Sequence, residues 1–505
     1  MTMKILFWFD VALIHFGLAK SIQEKLNCEL YGIVDVPHHR KTFFENQNFV
    51  KFSKLWYFHD YINTKKTPNI QYLKSIEEKY GLNLRLLAYN ERVFFNYNSF
   101  HKFSENEILN ILEDQCKLYE SVLQEVNPDC IIMLTNQHQN HLFHEICKAN
   151  GISIIMVTAS RLGKKILLVS DSEKLEPLPN VEKRIFQNTT IADLKIFFKK
   201  HNSFDETKKA STEFNFSKIN LINAAFKYIF RSKNISQKTN YPYFGHSKIK
   251  TLIIYLIDVL KTKYRFNFLL KNSIKEIPSG NYVYFPLHTE PEKTLLLDSP
   301  FHTDQLEIIH KITKSLPIDF KLLVKEHSSM MSRSWRKTSF YKNLINHPNV
   351  LILDPFLDPL DILPKVKLVI TINGTTGLEA SYFGKPSIVF GDVIYSELSS
   401  VKTIKNFEIL PEEIKKSLVE KIDLNQIHSF LDYLDRNSFE FDWQGISVDE
   451  LHMFFYGGYL ADKEISMKQM EKFLIKHKSE FDLLADMHIR KLNTKKSIKN
   501  DNFQQ

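Results

Sequence analysis

The sequence predicts an α/β protein with two Rossmann-like domains facing a cleft, a helical basic insertion between them and a helical C-terminal region. Three observations carry this. Short strands that are apolar throughout, such as Cys130–Thr135 and Ile152–Thr158, alternate with amphipathic helices, the pattern of a parallel sheet covered on both faces. The alternation runs twice, interrupted over 181–280. The 505 residues are also long enough for roughly two to four domains.

The first domain is placed at 1–180. Lys4–Phe9 is an apolar strand, Ile14, Leu18, Ile22 and Leu26 mark a helical face, and Glu29–Val34 is a second strand. Lys51–Tyr97 reads as an irregular, aromatic-rich insertion. The helix Glu105–Val126 leads to Pro128-Asp129 and the strand Cys130–Thr135. The helix His141–Ala149 ends at Asn150-Gly151, ahead of Ile152–Thr158. Residues 181–280 are helical and basic and close at Pro278-Ser279-Gly280. The second domain, 281–400, restarts the alternation. Its strands are Tyr282–Leu287, Phe320–Val324, Val350–Leu353, Leu368–Ile372 and Ser387–Phe390. Its helices are Thr303–Leu316, Ser339–Ile345, a turn at Pro359–Lys365, and Thr376–Phe383. Residues 401–505 read as helical, with a frayed tail from about Asn493. Two such domains put a cleft between the carboxyl ends of two sheets, the GT-B architecture of many glycosyltransferases and of sugar-nucleotide epimerases.

Apolar residues at 43% and charged residues at 25% exclude a disordered, collagenous or repeat-biased chain. Residues 201–280 hold 14 Lys and Arg against 5 Asp and Glu, a surplus equal to the +9 of the whole chain. A nucleic-acid binder would spread its charge more widely, so one basic patch for an anionic surface is expected instead. Aromatics such as Phe204, Phe214, Phe216, Phe226, Tyr228 and Phe230 interleave with that charge, which suits a membrane interface. The alternative is a solvated linker whose aromatics pack onto the domains. The four cysteines form no CxxC pair and no zinc spacing, and a reducing cytoplasm is expected. The N-terminal apolar run is broken by Asp10 and His15 and lacks a cleavage site, and 251–260 is too short to span a bilayer.

Three segments carry chemistry. In 368–391 a buried strand runs into Asn373-Gly374-Thr375-Thr376-Gly377 at the start of a helix. Glycines there let the backbone approach a ligand, and the hydroxyls and N–H groups suit a phosphate. Glu379 lies one turn further in, in reach of sugar or ribose hydroxyls. A capped strand–helix turn is the plainer reading. Lys325, Glu326 and His327 fall at another strand end, where Lys and His can bind phosphate and His can protonate a leaving group. The alternative is an exposed loop with a chance His. His288, Glu290 and Glu292 follow a third strand, with Asp304 opening the next helix. These are candidates for acid, base or nucleophile, unless Asp304 only caps its helix. No Asp-x-Asp, HExxH or Cys/His cluster appears, which argues against a metal, and no cofactor is expected beyond the substrate.

FPLHTEPE (285–292), DQLEII (304–309), KEH (325–327), Ser339-Phe340-Tyr341, NGTTGLEA (373–380) and GKPSIVFG (384–391) resemble, in this order, the capsule polysaccharide biosynthesis proteins. That group includes the Kdo transferases that build the lipid-linked base of bacterial capsules. The family commonly reads Lys-Glu-His-Pro, and Ser328 departs from it here. The resemblance implies a metal-independent glycosyltransferase taking a nucleotide-sugar donor, CMP-linked sugars being one candidate. The phosphate would lie on His327, Thr375 and Thr376, and the acceptor would be a glycan or its lipid-linked precursor. The cysteine usage and the basic segment 201–280 together give the expected location, a cytoplasmic enzyme peripheral on the inner face of the membrane. A sugar-nucleotide epimerase and a non-catalytic assembly or export factor remain the alternatives.

Overall fold

The computed structural model describes residues 2–172, 174–176, 181–201, 218–230 and 235–502. It contains two sheets. The first orders its strands β13-β6-β5-β4-β1-β2-β3. Here β1 is Met3–Phe9, β2 Cys28–Val34, β3 Lys54–Tyr57, β4 Cys130–Met133, β5 Ile154–Ala159, β6 Lys165–Val169 and β13 Phe439–Glu440. The second orders them β12-β11-β10-β7-β8-β9. There β7 is Asn281–Pro286, β8 Phe320–Lys325, β9 Val350–Leu353, β10 Leu368–Thr371, β11 Ser387–Val389 and β12 Val401–Thr403. The second sheet is parallel throughout, as its apolar strands require. The first is parallel from β5 to β3, but β6 and β13 join its edge antiparallel.

Each sheet is buried on both faces. On the first, Phe7, Phe9 and Phe16 meet Phe473, Phe481 and Leu484, while Trp8 on the other face meets Phe58, Tyr119 and Phe143. On the second, Tyr284 and Val369 pack towards Phe198 and Leu431, and Phe285 and Ile370 towards Ile309 and Leu410.

Four features differ from the sequence expectation. Lys51–Tyr97 is not irregular. It supplies the edge strand β3 and the helices Ile70–Tyr80 and Leu84–Tyr89, which bury Leu73, Ile76, Leu84 and Ala88. The strand β6 was not expected. It folds back because its apolar run Ile166–Val169 follows a tight turn at Gly163, φ +56°. The 181–280 segment is not one linker. Helix Ile191–Lys200 buries Leu194 and Phe198 in the second domain, Tyr241 is buried in the first, and Leu269 returns to the second. Phe204, Phe214 and Phe216 lie outside the described residues. Finally, 401–505 divides. Helices Leu410–Val419 and Leu424–Asn437 complete the second domain, whereas β13 and the helices from Trp443 onward complete the first. Helix Lys478–Asn502 lies so close to helix Ile14–Lys25 that a Cβ on Gly17 would fall 2.5 Å from the Phe481 ring. Distant segments are joined because each covers a face that its own neighbours leave bare.

Candidate active site

In the second sheet the chain builds β7, β8 and β9 outward, then returns to place β10 on the other side of β7. Connections leave β7 and β10 in opposite directions, and open α/β sheets hold ligands in the crevice at that point. A cavity of about 260 Å³ lies there. It is lined from β7 by Tyr284 and His288, from β8 by Lys325 and His327, and from β10 by Thr371 and the turn 373–376. Glu292, Thr294 and Glu379 also reach it. Arg161 enters from the first domain just beyond β5, so the carboxyl ends of the two sheets meet across the opening.

The turn is built tightly. Gly374 N–H donates to Thr371 Oγ1 at 3.1 Å, and His288 Nε2 lies 3.2 Å from the same oxygen. A Cβ on Gly374 would stand 2.7 Å from Thr371 Oγ1, and one on Gly377 2.6 Å from Tyr395 Oη. Asn373 Nδ2 donates to the Thr294 carbonyl and to Ser299 Oγ, the latter at 3.2 Å. Its Oδ1 is buried with no hydrogen-bond partner among the described residues. Arg161, itself at φ +68°, donates to Thr375 Oγ1 at 3.4 Å.

At the cavity wall Glu326 is buried and fully engaged. It accepts from Arg336 Nε and Tyr341 Oη, each at 2.8 Å, and from the His327 N–H at 2.9 Å. Arg336 also pairs with Glu290 at 2.6 Å and donates to the His288 carbonyl. Burial alone would lower the Arg336 pKa, but Glu326 and Glu290 raise it above its ordinary value. This ion triad holds the β7 and β8 ends together.

The cavity groups are strongly shifted. Burial, aided by His327, Arg336 and Arg161, lowers His288 to about 3. Burial, with Lys325, Arg336 and Arg333, lowers His327 to about 4. Both are neutral near pH 7. Ser329 N–H donates to His327 Nδ1 at 3.2 Å, which places the ring proton on Nε2 as a donor. Burial lowers Lys325 to about 8 against the pull of Glu379, Asp358 and Asp354. Desolvation raises Glu379 to about 7, with Lys325 and a Thr376 hydrogen bond opposing it.

Most of the expected site residues therefore meet in one cavity: His288, Glu292, Lys325, His327, Asn373, Gly374, Thr375, Thr376 and Glu379. Three do not line it. Asp304 is a helix cap accepting from the Leu306 and Glu307 N–H groups at 3.0 and 3.1 Å. Glu290 is committed to Arg336 and Gln305. Gly377 is buried under Tyr395. The helix after the turn is short, Thr376–Ser381, so the loop and side chains, rather than a long dipole, would hold an anion. Sequence reasoning missed Arg161 and Thr371. Thr371 reads as an ordinary strand residue, and no local pattern marks Arg161. Elsewhere, among the described residues, His141, His144 and Glu145 bring potential metal-ligand atoms within 4.8 Å of one another. Both His144 ring nitrogens are already engaged there, by Glu145 at 2.8 Å and the Ser170 carbonyl at 2.9 Å.

Residues 190–424 match the family model described as capsule polysaccharide biosynthesis protein. This segment, a little under half of the chain, is similar to that family. It carries the cavity walls from β7, β8 and β10, whereas Arg161 and the first domain lie outside it. No curated protein matches the chain. Among solved structures, the Methanocaldococcus jannaschii UDP-GlcNAc 2-epimerase in complex with UDP-GlcNAc and UDP is 14% identical, at TM-score 0.26, over 86% of this chain and all of that one. Thermosulfurimonas dismutans KpsC, a beta Kdo 2,7 transferase, is 11% identical, at TM-score 0.29, over 62% of this chain and 79% of that one. The capsule-family segment and its cavity, not these distant likenesses, carry the functional reading.

Proposed function

We propose that the protein is a glycosyltransferase of capsule or surface polysaccharide synthesis. It takes a sugar from a nucleotide-activated donor, CMP-linked sugars being the first candidates, and passes it to a glycan or a lipid-linked precursor. It works as a peripheral protein at the cytoplasmic face of the membrane. The supporting observation is the convergence of Lys325, Arg161, the His327 Nε2–H and the Thr375 and Thr376 hydroxyls on one cavity in the capsule-family segment. Such donors suit the phosphate that departs as the glycosidic bond forms, because they stabilise charge where it develops. Glu292 is the carboxylate we assign as acceptor base. It lines the cavity, whereas Glu290 is tied to Arg336 and Asp304 to its helix. Glu292 also adds to the field at Arg92 of the first domain, where the acceptor would enter.

Calorimetry with CMP-, UDP-, GDP- and dTDP-sugars tests the reading. One class should bind, and Thr375→Ala with Thr376→Ala should weaken it by about 3–6 kcal/mol at most, two bonds to a charged group. Glu292→Gln should keep donor affinity and lose turnover by about 10²–10⁴-fold. No nucleotide binding at all, or conversion of the donor to another sugar nucleotide without an acceptor, would overturn the proposal.

A further inference from the structure

Two openings that share no residue with the catalytic cavity lie beside the basic segment. The helix Lys218–Phe230 and the helix Lys248–Lys271 run against each other there. Tyr228 Oη donates to Thr251 Oγ1 at 3.1 Å, and Lys248 Nζ to the Ile229 carbonyl at 2.6 Å. Their outward faces are apolar. Ile219, Ile222, Phe230, Ile249, Leu256 and Leu260 are 62–73% exposed on these two helices. Between the helices runs an apolar groove of about 310 Å³, with Leu221, Ala225, Leu252 and Tyr255 in its walls.

The groove shares Leu460 and Asp462 with a more polar cavity of about 750 Å³. Two ammonium groups reach that cavity. Lys227 Nζ and Lys463 Nζ lie 5.3 and 4.7 Å from the centre of the Tyr456 ring. Burial lowers the Lys463 pKa, and the Lys227 charge lowers it further against the Tyr456 phenol. Asp462 is held by His39 at 3.0 Å and Ser236 at 2.6 Å, Lys463 Nζ donates to the Phe454 carbonyl at 3.1 Å, and Glu464 also lines the cavity. The turn that presents Tyr456 is strained. Tyr456, Gly457 and Gly458 all have positive φ, at 52°, 70° and 94°, and a tyrosine there is uncommon. An apolar slot beside a pocket that presents two ammonium groups, framed by exposed apolar helices, matches a molecule with a hydrocarbon tail and an anionic head.

We propose that this pair of openings is a membrane-attachment site that holds one anionic phospholipid of the bilayer. Its acyl chain lies in the groove between the two helices, its phosphate faces Lys227 and Lys463, and the outward apolar faces sit in the interface. The proposal deepens the membrane placement above and rests on it, but not on the transfer chemistry.

Vesicles of phosphatidylcholine, with and without phosphatidylserine, test it in co-sedimentation. The full chain should bind the anionic vesicles and bind neutral ones far less. Lys227→Gln with Lys463→Gln should lower the partition coefficient by roughly 30-fold, the equivalent of about 1 kcal/mol for each ammonium group. Tyr228→Trp, or Leu252→Trp if the first does not fold, places a reporter in the groove. Lipids brominated along the acyl chain should quench it relative to the parent protein. Absence of vesicle binding overturns both the membrane placement and the site. Retained binding with an unaffected lysine variant and an unquenched reporter overturns the site alone. Equal binding to neutral vesicles overturns the anionic headgroup.

Discussion

Lys325 and Glu379 share a cavity wall, and burial moves their protons in opposite senses. Lys325, lowered to about 8, loses its charge above that pH, and Glu379, raised to about 7, is protonated below it. An anionic donor is favoured by a charged Lys325 and a neutral Glu379, so affinity should fall as pH rises. Between pH 8 and 9 the charged fraction of Lys325 falls about fivefold, and donor affinity should fall with it. Calorimetry across that range checks it, and the step should vanish in Lys325→Met. A flat profile in the parent protein would remove Lys325 from the anion site. Arg336 acts differently, beneath the cavity. Arg336→Ala leaves Glu326 buried without its cation and should destabilise by about 3–5 kcal/mol in denaturant unfolding. Loss of less than about 1 kcal/mol, the range of exposed pairs, would mean that water reaches Glu326. These roles were only partly legible in the sequence. Lys325, His327 and the Thr375-Thr376 pair stand at strand ends, where type and position together suggest chemistry. Glu290 and Glu292 look alike in FPLHTEPE, and only the Arg336 contact, more than forty residues along the chain, separates the ion-paired Glu290 from the cavity-lining Glu292.

At the scale of the element, the strand–turn–helix from β10 to Ser381 is shaped by what cannot fit. Gly374 lies against Thr371 Oγ1, and that oxygen also faces His288, so a methyl group at 374 displaces both. Gly374→Ala should therefore weaken donor binding while destabilising the fold by about 1–3 kcal/mol, the range for overpacking a tight site. Paired thermal melts and calorimetry check this, and unchanged donor affinity would detach the turn from the ligand. Apolar strands such as Leu368–Thr371 were legible because burial on both faces demands unbroken hydrophobic runs. β3 was not, because Lys54-Leu55-Trp56-Tyr57 lies at a sheet edge and needs only Trp56 inside. β13 was illegible for a similar reason. It is two residues long and is recruited by the exposed edge of β6, not by its own composition.

Across the whole molecule, the chain crosses between the domains more than once, and its last helices are built into the first domain. Phe473, Phe481 and Leu484 join the core around Phe7, Phe9 and Phe16. The named bonds that span the cleft itself are polar and few. Arg161 reaches Thr375 at 3.4 Å, Asn90 reaches the Pro300 carbonyl at 3.2 Å, and Lys293 reaches Ser172 at 2.7 Å. Beside the cleft the domains also meet across an apolar seam, where Leu162, Leu167 and Val169 of the first domain join the core of the second and Lys165 pairs with Asp435, so any relative motion would pivot about that seam. The Arg161–Thr375 bond is long for a hydrogen bond, and it joins Arg161, a first-domain cation lining the cavity, to the turn proposed to hold phosphate. A bound phosphate between them would give both groups a shared partner and draw the domains together. Small-angle scattering should then show a smaller radius of gyration with nucleotide-sugar than without. In Arg161→Ala the donor should still bind through Lys325 and the turn, more weakly, and the contraction should be reduced. A radius that does not change on saturation with donor would show that Arg161 binds phosphate without closing the cleft. Full contraction in Arg161→Ala would assign closure to the other two contacts.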